Sequence, residues 1–316
     1  MAHKRPRAEV AAAVDIGSFS VHLLVATVRG HALEAPYDES AHLNLGRAIF
    51  ETGGIGEARA GLVETIKGYA MQAWSRGATT ITVVGTDPLR RAADAAETMA
   101  EIAASTGLEV GVLSQDEEAL VALIGVQAGR PVLRDTAVVD VGGGSTEVLA
   151  VGPGREPEAV GLPLGATRLT GMHVQHDPPT EAEVAALLGY SLLEMAKAPA
   201  FAPAELIAVG GTARSLIRVG PRLANRALTH RRVRRALTLM TVAPAAVTAE
   251  RYGVRVSRAR VLAAGASILL GALDRYRLDR LRVAAGGLRE GLLLAASREG
   301  PGWRAELRDL ARGWDR

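Results

Sequence analysis

Two stretches of this 316-residue chain put a carboxylate at the mouth of a glycine turn. In residues 10–25 a small apolar run ends at Asp15, the turn Gly17-Ser18-Phe19-Ser20 follows, and a second apolar run leads away. In residues 137–151 the apolar run ends at Asp140, then come Gly142-Gly143-Gly144-Ser145, Thr146, Glu147 and another apolar run. Both read as strand, tight turn, strand. Glycine has no Cβ and tolerates positive φ, so the backbone N–H groups from Gly142 to Ser145 can turn toward an anion at close range. A carboxylate beside a bare phosphate is repelled. It becomes useful if a divalent cation lies between them, because Mg²⁺ takes one or two carboxylates plus phosphate oxygens. The alternative is a glycine-rich hairpin with a solvated Asp, and one such turn does not decide between the two. Two copies of the plan point to similar halves facing one phosphate chain.

Other residues carry a charge with no obvious structural duty. Val84-Gly-Thr-Asp-Pro-Leu-Arg90 ends a β-branched strand and starts a helix, with Thr86 or Asp87 as cap and Pro88 at the first helical position. Arg90 and Arg91 then fall in the first turn, where cations oppose the helix dipole; an external anion would explain Arg90, and a solvated side chain would too. Ser114-Gln-Asp-Glu117 is a capping box, in which Glu117 folds back on the Ser114 amide. Glu118 lies about 100° further round the helix and is left out of the cap. It is either a solvated first-turn acid or an acid available for proton transfer. Gly210-Gly211-Thr212-Ala213 follows an apolar strand and opens a helix, a second backbone geometry suited to anions. Arg214, Arg218, Arg222, Arg226, Arg231, Arg232, Arg234 and Arg235 come after it, with Gly220-Pro221 breaking the helix. Such a cluster either meets a polyanion (polyphosphate, nucleic acid or an acidic partner) or is solvated. His173 and His176 make H-x-x-H, which we read as part of a polar loop rather than a metal pair.

Composition narrows the rest. Hydrophobic residues are 48% of the chain and aromatics only 3%, so the cores are aliphatic, as in α/β packing. With no Cys, disulfides, thiolate zinc sites and cysteine nucleophiles are excluded. Residues 1–7 are basic, but the apolar run that follows ends at Asp15, too soon for a signal segment. No uninterrupted apolar stretch reaches the ~18 residues of a membrane span. A soluble, cytoplasmic protein with no membrane partner is expected. The net charge is only +3, so basic character is local. No G-x-x-x-x-G-K-[ST] loop is present, which argues against a P-loop enzyme.

The elements that must position these groups follow from periodicity. A β-meander over 9–36 is expected, then a polar loop over 37–54 and a helix over 55–75. A strand over 79–84 and an Ala-rich helix over 92–106 come next, then a strand at 108–113 and a helix over 116–128. Gly129-Arg-Pro131 marks a boundary: residues 1–130 form one domain and 131–299 a second, with a C-terminal helix in 300–316 packing back on the first. In the second half, strands are expected near 133–140, 158–162, 206–209 and 281–284. Helices are expected over 166–172, 181–196, 244–252 and 257–274.

Six segments together resemble the exopolyphosphatase / guanosine pentaphosphate phosphohydrolase (Ppx/GppA) family of the actin-like superfamily. They are Asp15-Ile-Gly-Ser, Val84-Gly-Thr-Asp-Pro-Leu-Arg90, Glu117-Glu-Ala119, Val139-Asp-Val-Gly-Gly-Gly-Ser-Thr-Glu147, Gly210-Gly-Thr-Ala and Gly287-Leu-Arg-Glu-Gly-Leu-Leu. The resemblance implies an α/β fold of two actin-like, ribonuclease H-like domains. Each has a mixed sheet flanked by helices, and the active site lies in the cleft. It implies hydrolysis of a terminal phosphoanhydride with Mg²⁺ or another hard divalent cation. Glu118 resembles the general base, Arg90 a phosphate ligand, and Asp15, Asp140 and Glu147 the metal- and water-binding acids. Gly17, Ser18, Ser20, Gly142–Ser145 and Gly210–Thr212 would hold phosphates, and Arg214, Arg218, Arg231 and Arg232 would extend a polyanion track. Polyphosphate or guanosine penta- or tetraphosphate is the implied partner, with no specific nucleic acid, in a homodimer.

The sequence departs from the family pattern at Phe19, where Asn is usual, at Leu120 for Arg and at Gln115 for Gly. It ends at Arg316, resembling the short two-domain form, and a preference for short chains is expected. Two alternatives remain: an ATPase or kinase of the same superfamily, and a weakly catalytic sensor of alarmones or polyphosphate.

Overall fold

The computed structural model describes residues 8–219 and 227–314. The basic start of the chain, the Gly220-Pro221 break, Arg222 and Arg226 lie outside them. The chain forms two compact units: Met1–Pro131 with Gly286–Arg316, and Val132–Ala285.

The first unit opens with β1 (Glu9–Ile16), β2 (Val21–Arg29) and β3 (Ala32–Ala41), followed by α1 (Leu45–Thr52) and α2 (Ala58–Ser75). Then come β4 (Thr80–Gly85), α3 (Asp87–Arg91), α4 (Ala95–Thr106), β5 (Val110–Val112) and α5 (Gln115–Gln127). The sheet runs β3-β2-β1-β4-β5. β1 is antiparallel to β2 and parallel to β4, which is parallel to β5. β1 is buried from Ala11 to Val14, so it reads as a continuous apolar run rather than an alternation. The core is aliphatic, built on Ile16, Leu23, Leu62, Ile66 and Ile102.

The second unit contains β6 (Thr136–Val141), β7 (Thr146–Gly152), β8 (Arg155–Leu162), α6 (Ala166–His173), α7 (Glu181–Met195), β9 (Glu205–Val209) and α8 (Gly210–Arg218). After these come β10 (Ala227–Thr229), α9 (His230–Thr241), α10 (Ala245–Tyr252), α11 (Val256–Tyr276) and β11 (Arg280–Val283). Its sheet order, β10-β11-β9-β6-β7-β8, repeats that of the first unit with one edge strand added. Again the first two strands are antiparallel and the next connections parallel. α11 is long and apolar enough to cross a membrane, but 78% of its most apolar window is buried inside the unit. It is the helix around which α6, α7, α8, α9 and α10 pack.

The chain then returns to the first unit through α12 (Leu288–Glu299) and α13 (Leu307–Leu310). α12 packs on α5 and β1. The expected second domain ended at 299; residues 286–299 instead belong with the first unit, because the α5–α12 contact is almost without side chains. A Cβ on Gly125 would lie 1.9 Å from the Gly287 carbonyl, and one on Gly291 1.8 Å from that of Val121.

Four further elements differ from expectation. The loop expected over 37–54 is the end of β3 followed by α1. β3 is an edge strand facing solvent, so its polar residues carry no apolar alternation. The helix expected over 92–106 starts at Ala95, after the separate short α3. β10 and α9 fall where only an arginine cluster was read. The helix expected in 300–316 shrinks to α13.

Candidate active site

In both units the candidate residues gather at the carboxyl ends of parallel strands, where open α/β sheets take ligands. In the first unit Asp15 is the last residue but one of β1, Gly85 ends β4 and leads into α3 with Arg90, and β5 leads into α5 with Glu118. In the second, Asp140 is near the end of β6, and Gly210 directly follows β9.

The two hairpins are built alike. Asp15 pairs with His22 across β1 and β2, and Asp140 pairs with Glu147 across β6 and β7. The Gly17 amide donates to the Ser20 carbonyl (3.2 Å), and that of Gly142 to the Ser145 carbonyl (3.0 Å). In the second hairpin the turn carbonyls are held by the start of α6. The Gly142 oxygen accepts from the Ala166 amide (2.9 Å), and that of Gly143 from Thr167 (2.8 Å) and Arg168 (3.0 Å). With the carbonyls taken up there, the amides of Gly143 and Gly144 donate no hydrogen bond among the described residues. Two adjacent N–H groups without a partner among the described residues, beside a carboxylate-bearing strand end, are a geometry able to receive an anion.

The Gly-Gly turn closes on the same place. Gly210 has φ +90°, and a Cβ there would lie 2.7 Å from Asp140 Oδ1, so only glycine lets the turn pass the carboxylate. Thr212, expected as a phosphate ligand, donates its buried hydroxyl to the Val141 carbonyl (3.1 Å). Arg258, at the start of α11, approaches Gly211: its Nη2 would stand 3.0 Å from a Cβ placed there. Burial, and then the charge of Arg214, pushes the Arg258 guanidinium down to about 10. Nothing local in the sequence singles it out.

In the first unit the side chains are more committed. The Ser18 hydroxyl donates to Asp87 Oδ2 (3.0 Å), where a phosphate contact was expected. Ser20 Oγ and His22 Nε2 are 2.6 Å apart. Phe19 is buried, its ring edge-on to that of His42 at 5.2 Å. Thr86 is the N-cap residue of α3 but makes no side-chain cap; its hydroxyl donates to the Ile16 carbonyl (3.3 Å), while Asp87 serves Ser18 and Arg91.

The capping reading of α5 is what isolates Glu118. Ser114 N–H donates to Glu117 Oε2 (2.8 Å), and Glu117 N–H to Ser114 Oγ (3.2 Å). Arg304 grips Glu117 as well, through Nε (2.9 Å) and Nη2 (2.7 Å). Burial opposes ionisation of Glu117, but the Arg304 and Ser114 bonds outweigh it and hold its carboxyl below the usual range. Glu118 is buried beside it, with Arg90 Nη1 donating to its Oε2 (2.7 Å) and to the Leu113 carbonyl (2.8 Å). Arg90 and Glu118 are thus brought together, a contact not foreseen in reading Arg90 as a phosphate ligand alone.

Among the described residues no group of three or more His, Asp or Glu side chains is placed to hold a metal ion. His173 instead meets the Tyr190 ring at a tilt, with centroids 5.2 Å apart, and His176 Nδ1 lies 2.9 Å from Glu183 Oε1. Asp140 and Glu147 remain as a direct cross-strand pair on one sheet face. Two carboxylates beside free amides fit a hard divalent cation that shares its coordination with phosphate and water, and do not fit a metal caged by protein alone.

In the Gly287-Leu-Arg-Glu-Gly segment, Arg289 is buried and pairs with Asp38, and Glu290 accepts from the Gly287 amide (2.9 Å). That segment holds α12 in place.

The model of the Ppx/GppA phosphatase family matches residues 24–299. Exopolyphosphatase 1 of Mycobacterium tuberculosis is 31% identical over 303 residues, covering 89% of this chain and 86% of that protein. The guanosine-5'-triphosphate,3'-diphosphate pyrophosphatase of Vibrio cholerae is 26% identical over 291 residues, and the match spans 58% of its length. The crystal structure of the Aquifex aeolicus Ppx/GppA family member superposes with a TM-score of 0.78 at 28% identity, covering 93% of this chain and 99% of that one. Both sheets, their helices and the paired hairpins are therefore those of an actin-like fold, and the chain belongs to the Ppx/GppA phosphatase family.

Proposed function

We propose that the chain hydrolyses the terminal phosphoanhydride of inorganic polyphosphate or of pppGpp, with Glu118 as the general base. The observation that carries this reading is the division of labour at the start of α5. Glu117 is consumed by the cap and by Arg304, whereas Glu118 is buried, outside the cap and oriented by Arg90. In the reaction, Glu118 takes a proton from water as the water oxygen bonds to the terminal phosphorus. The bridging P–O bond breaks, and its electron pair leaves with the shortened chain. The amides of Gly143 and Gly144 and the guanidinium of Arg258 would hold phosphate oxygens, placing fixed donors where charge develops. Asp140 and Glu147 would hold a divalent cation, which when bound would neutralise phosphate charge and polarise the reacting oxygens.

The test is phosphate release from tripolyphosphate, long-chain polyphosphate and pppGpp by the wild type and by Glu118→Gln. Loss of a positioned base is expected to lower kcat by ~10²–10⁴-fold, with substrate binding retained. Wild-type binding without release on every substrate would replace the hydrolase by a sensor. Phosphate transferred from ATP to a sugar would replace it by a kinase.

A further inference from the structure

Residues 206–273 contain twelve arginines, no lysine and one acid, Glu250. The structure sorts those it describes into two groups. Arg214 and Arg232 are half-buried and donate to main-chain carbonyls, Arg214 to Ala285 (3.5 Å) and Arg232 to Ile217 (3.1 Å). Arg231, Arg234 and Arg235 are exposed on α9 and form no ion pair among the described residues. Their spacing puts them on one face of the helix. The opposite face, with Val233, Ala236, Leu237 and Met240, is buried in the core of the second unit.

Folding alone does not account for that outer face. The first turn of α9 has no acid, so the cations lie at the positive end of the helix dipole. Arg231 and Arg235 are one turn apart and repel each other. Each arrangement is unfavourable in the isolated chain and becomes favourable once an anion spans the face.

The face is also continuous with the glycine turn of the same unit. The Arg232 bond to Ile217 ties the start of α9 to the last turn of α8. Arg218, exposed at that end, donates to the Gly253 carbonyl (3.2 Å). From there α8 runs back to Gly210, about 12 Å away at 1.5 Å per residue. Neither α8 nor α9 carries a Phe, Tyr or Trp, and the imidazole of His230 at the start of α9 is held 3.1 Å from Asp274 Oδ1, so the exposed arginine face offers no aromatic platform of its own on which bases could stack.

We propose that the outer face of α9, formed by Arg231, Arg234 and Arg235, is a docking site for the body of an inorganic polyphosphate chain, separate from the site that takes its terminus. The placement of the terminus rests on the hydrolase reading; the docking itself does not. The face makes affinity rise with chain length, contrary to the short-chain preference expected from the sequence.

The experiment compares wild type with R231Q/R234Q/R235Q in the full chain, measuring binding of long-chain polyphosphate and of tripolyphosphate across a salt series. Long-chain affinity is expected to fall about tenfold at low salt. The slope of log affinity on log salt should flatten by about 2, near 0.7 for each lost contact. Tripolyphosphate affinity should change less than twofold. R231K/R234K/R235K, which keeps the charges, should retain most of the long-chain affinity. The glutamine variant should melt no lower than wild type, since the side chains removed are exposed and mutually repulsive.

Unchanged long-chain affinity and slope would overturn the proposal. So would an equal loss for tripolyphosphate, which would make α9 part of the terminal-phosphate site. Loss of affinity for a single-stranded RNA without loss for polyphosphate would assign the face to nucleic acid and overturn it as well. If the wild type releases no phosphate while the long-chain difference persists, the hydrolase reading fails and the docking site stands.

Discussion

Gly291→Ala tests the contact that holds the proposed general base. A Cβ there would lie 1.8 Å from the Val121 carbonyl oxygen and 2.9 Å from the Gly125 nitrogen. That is about 1.6 Å inside the 3.4 Å at which ordinary contact begins, and the obstacle is backbone, so no rotamer change relieves it. Overpacking of this kind costs roughly 1–3 kcal/mol, and more when main chain must shift. The gain in helix propensity returns only about 1 kcal/mol. A net loss of about 2 kcal/mol is expected. α5 must also move, and it carries Glu118 three residues before Val121. A 1 Å displacement of a catalytic group can lower kcat by ~10²-fold.

The assay is urea unfolding followed by tryptophan fluorescence, with turnover measured in parallel. Trp74, Trp303 and Trp314, all the tryptophans of the chain, lie in the first unit, so the signal reports that unit alone. Gly68→Ala is the matched control: it lies within α2, and its added Cβ meets no atom within 4 Å. It should stabilise the same transition by about 0.5–1 kcal/mol. If Gly291→Ala unfolds at the wild-type midpoint with an unchanged slope and full kcat, the α5–α12 packing described above is wrong.

Phe19→Asn, which restores the residue usual in the family, should destabilise the first unit by about 2–4 kcal/mol, because the ring it removes is buried against His42. An unshifted tryptophan-detected midpoint would show that the ring contributes no packing. Asp94 is held down to about 2 by the amides of Ile55 and Gly56, and then by Arg59. A depressed pKa stabilises the fold above the unfolded value near 4, and that contribution is lost as pH falls through about 2. Asp94→Asn should therefore destabilise at neutral pH and match wild type near pH 2, as read by unfolding at both. Removing divalent cations with EDTA should abolish phosphate release and weaken tripolyphosphate binding together, because the proposed ion is shared with phosphate. Calorimetric binding that is indifferent to EDTA would exclude a shared ion.

Sequence patterns were informative where local geometry settles the outcome. The capping box at Ser114 separated Glu117 from Glu118 because a cap is set within four residues. The hairpins at Asp15 and Asp140 were legible because an apolar run, a glycine turn and a second apolar run leave few other conformations. What escaped notice depends on partners distant in sequence. Ser18 and Thr212 have the right chemistry for phosphate, but Asp87 and the Val141 carbonyl occupy their hydroxyls. Arg258 reaches Gly211 from 47 residues away, and Arg232 looked equivalent to its neighbours until the Ile217 carbonyl turned it inward. β3 looked like a loop because an edge strand facing water has no reason to alternate.

The return of α12 to the first unit has a consequence for synthesis. The second unit is a continuous segment, whereas the first is interrupted between Pro131 and Gly286. On the ribosome, α5 emerges well before the helix whose backbone packs against Gly125. At about 5–20 residues per second, the intervening segment takes roughly 8 to 30 seconds to make. During that interval the second unit has all its own strands before the first has its last helix. The nascent chain therefore completes its inserted unit first, and the Glu118 helix acquires its final support only once α12 has followed.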